Sequence, residues 1–152
     1  MRVLIADDNT VVRDSIKVVI ESHSGWFVCG TATNGAEAIR LADELRPDFV
    51  VLDLAMPVMD GFHAAARISA DHPEIPIIMV TQFSSTTLRN EAQKQGISEI
   101  VDKGEVYQHL VRTMAEIATK SSQGRTDENA SDASADSKDG SPSGASRAAR
   151  LG

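Results

Sequence analysis

The sequence has little of three things: cysteine, positive charge and long apolar runs. Its one cysteine, Cys29, cannot form a disulfide within the chain. The first residues, MRVLIADD, offer only four apolar residues before two aspartates, too few for a secretory signal peptide. No apolar stretch approaches the length that spans a bilayer. These absences predict a reduced, soluble, cytoplasmic protein with no membrane partner.

The charge balance is acidic. Lysine and arginine number 15 against 22 aspartate and glutamate residues, which gives a formal net charge of -7. A chain that binds nucleic acid or an anionic membrane needs positive charge to meet the phosphates. We therefore expect no nucleic acid among its main partners.

The composition divides the chain into two parts. Its 152 residues and 41% apolar content are enough for one domain with a buried core. From Ser121 onward the sequence is rich in Ser, Ala, Asp and Gly, and Leu151 is its only aliphatic residue larger than alanine. Such a segment cannot bury a core. The sequence therefore predicts a domain over residues 1–120 and a disordered tail over residues 121–152.

Within residues 1–120, short β-rich runs alternate with longer segments of helical spacing. This alternation is typical of a parallel sheet covered by helices. With right-handed crossovers, it predicts an α/β, flavodoxin-like doubly wound (βα)5 fold with strand order 2-1-3-4-5. The β-rich runs are RVLIA, WFVCGTA, DFVVLD, PIIMVT and SEIVDK.

Polar side chains end four of these five runs. Asp7 and Asp8 follow the first strand, and the third, fourth and fifth end at Asp53, Thr81 and Lys103. The carboxyl ends of parallel strands share one edge of the sheet, where ligands bind in this class of fold. Each residue alone could be a helix cap, a turn residue or a solvated charge. Their recurrence at successive strand ends favours one shared site.

Three carboxylates at one site repel each other at neutral pH, so the pattern calls for positive charge. Oxygen ligands select a hard cation, and a small carboxylate set that leaves room for water and a phosphoryl group suits Mg²⁺. Lys103 adds a second positive charge and Thr81 a hydroxyl donor. An aspartate nucleophile, a metal and such donors are what phosphoryl transfer to a carboxylate requires.

The motifs ADDN, VVLDLAMPVMDG, IIMVT and IVDK resemble the receiver domain of bacterial two-component response regulators. The resemblance covers residues 1 to about 118. It implies that Asp53 is the phospho-acceptor, and that Thr81 and Lys103 contact the phosphoryl oxygens. It also implies that the domain is not an enzyme beyond catalysing its own phosphorylation.

The same resemblance implies a metal site and a phosphodonor. Asp7, Asp8 and Asp53 would hold Mg²⁺ together with the backbone carbonyl of Ala55. The phosphodonor would be a sensor histidine kinase or a phosphotransfer protein. The signal would leave by contact with a downstream protein, whose identity is unknown, or by onward phosphotransfer from a single-domain regulator.

Three positions depart from the commonest receiver pattern and keep a second hypothesis open. Gln82 stands where a small residue is usual, Ile100 where an aromatic is usual, and Gly104 where a proline often follows the lysine. Gln82 and Ile100 keep open a phosphorylation-independent adaptor as the alternative function, although the five intact site residues argue against it. A phosphatase of the haloacid dehalogenase type is a weaker alternative, because its second aspartate would fall at Ala55.

Overall fold

A computed structural model describes residues 1–133, with side chains as far as residue 124. The chain forms two compact units, Met1–Ile117 and a second that begins at Ala118. The strands are β1 (Arg2–Ala6), β2 (Phe27–Ala32), β3 (Phe49–Asp53), β4 (Ile77–Thr81) and β5 (Glu99–Asp102). The helices are α1 (Thr10–Glu21), α2 (Gly35–Leu45), α3 (Gly61–Asp71), α4 (Thr86–Lys94) and α5 (Val106–Ala133), with a short 3-10 helix over Lys103–Glu105.

The five strands form one parallel sheet in the order β2-β1-β3-β4-β5. This confirms the predicted flavodoxin-like fold and its strand order. In the register, Asp53 lies opposite Val80, and Thr81 lies opposite Asp102. The last residues of β3, β4 and β5 therefore lie at one edge of the sheet, as their sequence pattern predicted.

The core lies on both faces of the sheet, because the central strands β3 and β4 are buried along their whole length. Alternate residues such as Leu4, Val50 and Met79 pack with buried residues of α2, α3 and α4. Helix α3 packs on the sheet mainly through small residues: its buried residues are Gly61, Ala64, Ala65 and Ile68.

The predicted domain boundary at residue 120 falls within α5, which continues to Ala133. Residues 121–133, the first part of the predicted tail, are therefore helical in the structure. The rest of that tail, residues 134–152, lies outside the described residues. The division into a domain over 1–120 and a disordered tail over 121–152 stays a prediction.

The loop between β3 and α3 is tied down by backbone hydrogen bonds. The N–H of Gly61 donates to the carbonyl oxygen of Leu54 at 2.8 Å, and that of Gly35 donates to Met59 at 3.0 Å. A Cβ on Gly61 would lie 2.2 Å from the carbonyl oxygen of Asp53, far closer than two such atoms approach. Glycine is therefore required at residue 61 for α3 to begin beside the end of β3.

The same loop contains a strained residue. Val58 has a φ of 69°, a conformation that β-branched residues rarely adopt, and its side chain is 85% exposed. The N–H of Met59 donates to the carbonyl oxygen of Pro57 at 2.7 Å, which closes a γ-turn around Val58. The strain is thus imposed by the path of the loop and not by packing of the valine side chain.

Gly61→Ala is expected to lower the free energy of unfolding by about 1–3 kcal/mol, because the new methyl group meets backbone and not a movable side chain. Urea denaturation measures the change. The control is Gly124→Ala in α5, where an added Cβ meets nothing within 4 Å. Equal stabilities of the two variants would show that the β3–α3 loop can move to accept a side chain.

Val58→Gly is expected to raise the free energy of unfolding by about 1 kcal/mol, because glycine adopts positive φ without steric cost. The matched control is Val18→Gly, which replaces another exposed valine in the interior of α1. There glycine should lower stability by about 1 kcal/mol through its poor helix propensity. Thermal unfolding of both variants tests the difference in sign, and a loss of stability in both would contradict strain at residue 58.

Candidate functional site

Three carboxylates meet at the carboxyl edge of the sheet. Asp53 ends β3 and is 5% exposed, Asp7 follows β1 and is 1% exposed, and Asp8 next to it is exposed to solvent. One carboxylate oxygen from each lies within 4.8 Å of the others. The strand order creates this cluster, because β1 and β3 are direct neighbours in the sheet.

Lys103 lies between the two buried carboxylates. Its Nζ is 3.0 Å from Oδ2 of Asp7 and 3.1 Å from Oδ1 of Asp53. The lysine is the first residue after β5, at the start of the 3-10 helix, and its side chain is 17% exposed. One ammonium group therefore faces two buried negative charges, and the site keeps a net negative charge.

This charge balance changes the pKa of both partners. Burial raises the pKa of Asp53 above its ordinary value of 3.8, and the charge of Asp7 adds to the rise, although the hydrogen bond from Lys103 opposes it. Burial acts to lower the pKa of Lys103, but its hydrogen bonds to Asp7 and Asp53 outweigh burial and raise it. Lys103 is therefore a permanent cation at neutral pH.

Asp7 is held from several directions. Its N–H donates to the carbonyl oxygen of Ala32 at 3.1 Å, and its Oδ1 accepts from the N–H of Asn9 at 2.8 Å. Its carbonyl oxygen accepts from Nη1 of Arg13 at 2.7 Å. The buried Oδ2 faces the ammonium group of Lys103 at 3.0 Å, and this charged contact is the one that the structure gives it.

Asn9 and Arg13 belong to the surroundings of the site but were not predicted from the sequence. Asn9 is the N-cap of α1, and its side chain accepts hydrogen bonds from the N–H groups of Val11 and Val12. The available signal was spacing, since residues 9 and 13 are one helical turn apart and share a face of α1.

A cavity of about 400 Å³ opens beside Asp53. The predicted residues Asp8, Asp53, Ala55, Thr81 and Lys103 all line it. The structure therefore brings these five together, with Asp7 buried behind Lys103. The cavity is also lined by residues not predicted for the site, namely Asn9, Leu54, Phe83, Ser85 and Leu88, and by Gln82, which the sequence marked as unusual.

Thr81 ends β4 and is 5% exposed. Its Oγ1 accepts a hydrogen bond of 3.4 Å from the N–H of Phe83. This contact uses a lone pair of the hydroxyl and leaves its proton free to be donated. Contact of the Thr81 hydroxyl with a phosphoryl oxygen stays a prediction.

The donor set fits Mg²⁺. All three candidate side chains offer oxygen, the ligand type that hard divalent cations prefer. Oδ2 of Asp7 is buried and already faces one cation, the ammonium group of Lys103. Three carboxylates against one lysine also leave negative charge for a divalent cation to neutralise.

The sequence profile of the response regulator receiver domain matches residues 3–115, nearly the whole of the first unit. The chain belongs to this family. Phosphorylation and Mg²⁺ binding at an acidic pocket are typical of receiver domains in two-component systems, and the aspartate cluster is such a pocket.

Two curated relatives illustrate the range of proteins that the chain resembles. It is 39% identical over 113 residues to the transcriptional regulatory protein YdfI of Bacillus subtilis, covering 74% of this chain and 53% of YdfI. It is 36% identical over 103 residues to the chemotaxis protein CheY of Listeria monocytogenes, covering 68% of this chain and 86% of CheY.

Solved structures show the same fold. A LuxR-family two-component response regulator from Aurantimonas superposes with a TM-score of 0.75 at 29% identity, over 78% of this chain and 85% of that one. The response regulator domain of Thermotoga maritima CheB superposes with a TM-score of 0.66 at 30% identity, over 81% and 94%.

The chain spans about half or less of several relatives, such as YdfI at 53% and a protein-glutamate methylesterase of Methanococcoides burtonii at 34%. The activities of those whole proteins therefore do not transfer to it. The expectation that nucleic acid is not a partner gains no support, because YdfI is a transcriptional regulatory protein. Among residues 1–133, no helix is long and apolar enough to cross a membrane, and a cytoplasmic location stays a prediction.

Asp53→Asn is expected to raise the midpoint of thermal unfolding in metal-free buffer at neutral pH. The substitution removes a buried charge that repels Asp7, and about 1 kcal/mol moves the midpoint of such a domain by about 4–8 °C. The raised pKa of Asp53 means that the folded wild type binds its proton more tightly than the unfolded chain, so wild-type stability falls as pH rises through that pKa.

The gain from Asp53→Asn should therefore shrink as the pH falls through the raised pKa, and should level off below the ordinary carboxyl pKa, where Asp53 is protonated in both states. Asp14→Asn on the exposed surface of α1 is the control and should change little at any pH. A midpoint of Asp53→Asn that lies below wild type at pH 7 would mean that the ion pair with Lys103 outweighs burial and repulsion.

Proposed function

We propose that the chain is a single-domain response regulator that accepts a phosphoryl group on Asp53 and passes the signal on by protein contact or onward phosphotransfer. The observation that carries this proposal is the placement of Lys103 between Asp7 and Asp53, with Asp8 beside them at the edge of the sheet. The match to CheY supports the single-domain part, since the chain covers 86% of that relative.

The phosphodonor is a phosphohistidine on a sensor kinase or phosphotransfer protein. A carboxylate oxygen of Asp53 attacks phosphorus and forms the O–P bond, while the N–P bond breaks and its electron pair goes to the ring nitrogen, which takes a proton from solvent. Asp53 is suited to this role because, among the side chains described as far as residue 124, it is the one carboxylate that both contacts Lys103 and lines the open cavity.

The other residues hold the phosphoryl oxygens. Lys103 supplies a fixed positive charge beside the attacking oxygen, and its raised pKa keeps that charge at all physiological pH values. The Thr81 hydroxyl donates to a second oxygen from the end of the adjacent strand. Both groups come from rigid strand ends, so little reorganisation is needed during transfer.

Asp7, Asp8 and Asp53, together with the backbone carbonyl of Ala55, are the ligands that would hold Mg²⁺. When bound, the metal supplies positive charge that offsets the repulsion between the aspartates and the incoming phosphoryl group. The exposed Asp8 and the open cavity leave room for water and a phosphoryl oxygen as further ligands.

The departures from the family pattern bear on how the signal leaves the domain. Ile100 is 5% exposed and packs in the core, so it cannot act as a side chain that swings between the surface and the interior. Helix α4 buries only Ala92, with Leu88 partly buried against the core. The loop after Thr81 and α4 are therefore the elements that phosphorylation displaces most readily.

The alternative is an adaptor that does not use phosphorylation. Burying two carboxylates beside a single lysine costs free energy of folding. A site without a function would gain nothing from that cost, so the arrangement disfavours the adaptor. A phosphatase of the haloacid dehalogenase type is disfavoured by Ala55, which offers no acid or base where that chemistry needs an aspartate.

Incubation with a small-molecule phosphodonor such as acetyl phosphate and Mg²⁺ is expected to add one phosphoryl group, at Asp53. Intact-mass spectrometry with reductive trapping of the acyl phosphate measures it. Asp53→Asn should abolish labelling, and Asp14→Asn, an exposed aspartate of α1, should leave it unchanged. Labelling that persists in Asp53→Asn would refute the assignment, and no labelling of the wild type by acetyl phosphate or by phosphohistidine would favour the adaptor.

A further inference from the structure

Arg13 lies behind the acidic cluster and has no place in the proposed chemistry. It is the fourth residue of α1, and Nη1 donates to the carbonyl oxygen of Asp7 at 2.7 Å. Nη2 lies 3.3 Å from Oγ1 of Thr10. The side chain thus runs back toward the start of its helix, the direction in which helical side chains point.

A cation at this place is unfavourable for the helix itself. The first turn carries the positive end of the helix dipole, where acidic residues are favoured and basic ones lose about 0.3–1 kcal/mol. The first turn of α1 contains no acidic residue. The hydrogen bond to the carbonyl oxygen of Asp7 offsets this unfavourable interaction of Arg13 with the helix dipole.

That contact fixes the peptide group that joins Asp7 to Asp8. The N–H of Asp7 is held by Ala32, its Oδ1 by the N–H of Asn9, and its carbonyl oxygen by Arg13. Its Oδ2 faces the ammonium group of Lys103 at 3.0 Å. With the carbonyl held, the directions of the two successive carboxylates are fixed as well.

We propose that Arg13 is a positioning residue that orients the Asp7–Asp8 pair for binding a divalent cation. This inference rests on the proposed metal site and not on phosphoryl transfer. Arg13 donates to the backbone carbonyl oxygen between Asp7 and Asp8, and not to the carboxylate oxygens that would bind the metal. Groups that orient metal ligands from behind typically change metal affinity about 10–100-fold when removed.

The sign of the effect separates positioning from simple charge. If Arg13 acted only through its positive charge, Arg13→Met would tighten Mg²⁺ binding, because a repelling cation is removed. Positioning predicts the opposite, a dissociation constant for Mg²⁺ that rises about tenfold. Titration calorimetry of the unphosphorylated protein measures it, so the result does not depend on phosphorylation.

Two further variants complete the design. Arg13→Lys keeps the charge and can donate to one oxygen but not as a fixed fork, so its affinity should lie between wild type and Arg13→Met. Arg40→Met removes an arginine of α2 that is paired with Glu44 on the exposed surface, and should leave affinity unchanged. Amide hydrogen exchange at Asn9 should quicken in Arg13→Met, since its acceptor on Asp7 loses its fixed direction.

An affinity of Arg13→Met that equals or exceeds that of wild type overturns the inference while leaving the metal site intact. A wild type that binds no Mg²⁺, tested beside Asp8→Asn, overturns both the inference and the proposed metal site. If Arg13→Met does not fold, as judged by urea denaturation, Arg13→Lys carries the test, and an affinity equal to wild type then overturns the inference.

Discussion

The ion pairs of Lys103 with Asp7 and Asp53 are the contacts on which the site depends. Two carboxylates with almost no exposed surface lie at adjacent strand ends, and one ammonium group lies within 3.1 Å of both. The single positive charge of Lys103 can neutralise one buried carboxylate but not two. The residual negative charge is what prepares this edge of the sheet for a divalent cation.

The sheet converts distant sequence positions into this arrangement. β1, β3, β4 and β5 contribute to one edge although their last residues are tens of positions apart in the chain. That much follows from the sequence, because apolar runs of four to six residues separated by helical segments leave few topologies. The strand bounds, the order and the meeting of Asp7, Asp53 and Lys103 were all predicted from these patterns.

Other features could not be predicted from residue type and spacing. The contact of Arg13 with the Asp7 carbonyl depends on where the helix begins relative to the strand, which only the folded backbone defines. The buried face of α3 could not be read from the sequence, because several neighbouring residues are alanines and small side chains give a weak periodic signal. The positive φ of Val58 contradicts local preference and is imposed by the surrounding loop.

The backbone hydrogen bonds of the β3–α3 loop limit the insertions and deletions that this loop can accept. One backbone hydrogen bond, from Gly61 to Leu54, joins the two ends of the loop. A second, from Gly35 to Met59, joins the loop to the first residue of α2. An inserted or deleted residue between 54 and 61 would shift the donors and acceptors of these hydrogen bonds relative to one another. The turn over residues 22–26 lies at the opposite edge of the sheet and is largely exposed. It can lengthen without disturbing Asp53, so indels among homologues should collect there and spare the segment after the acceptor aspartate.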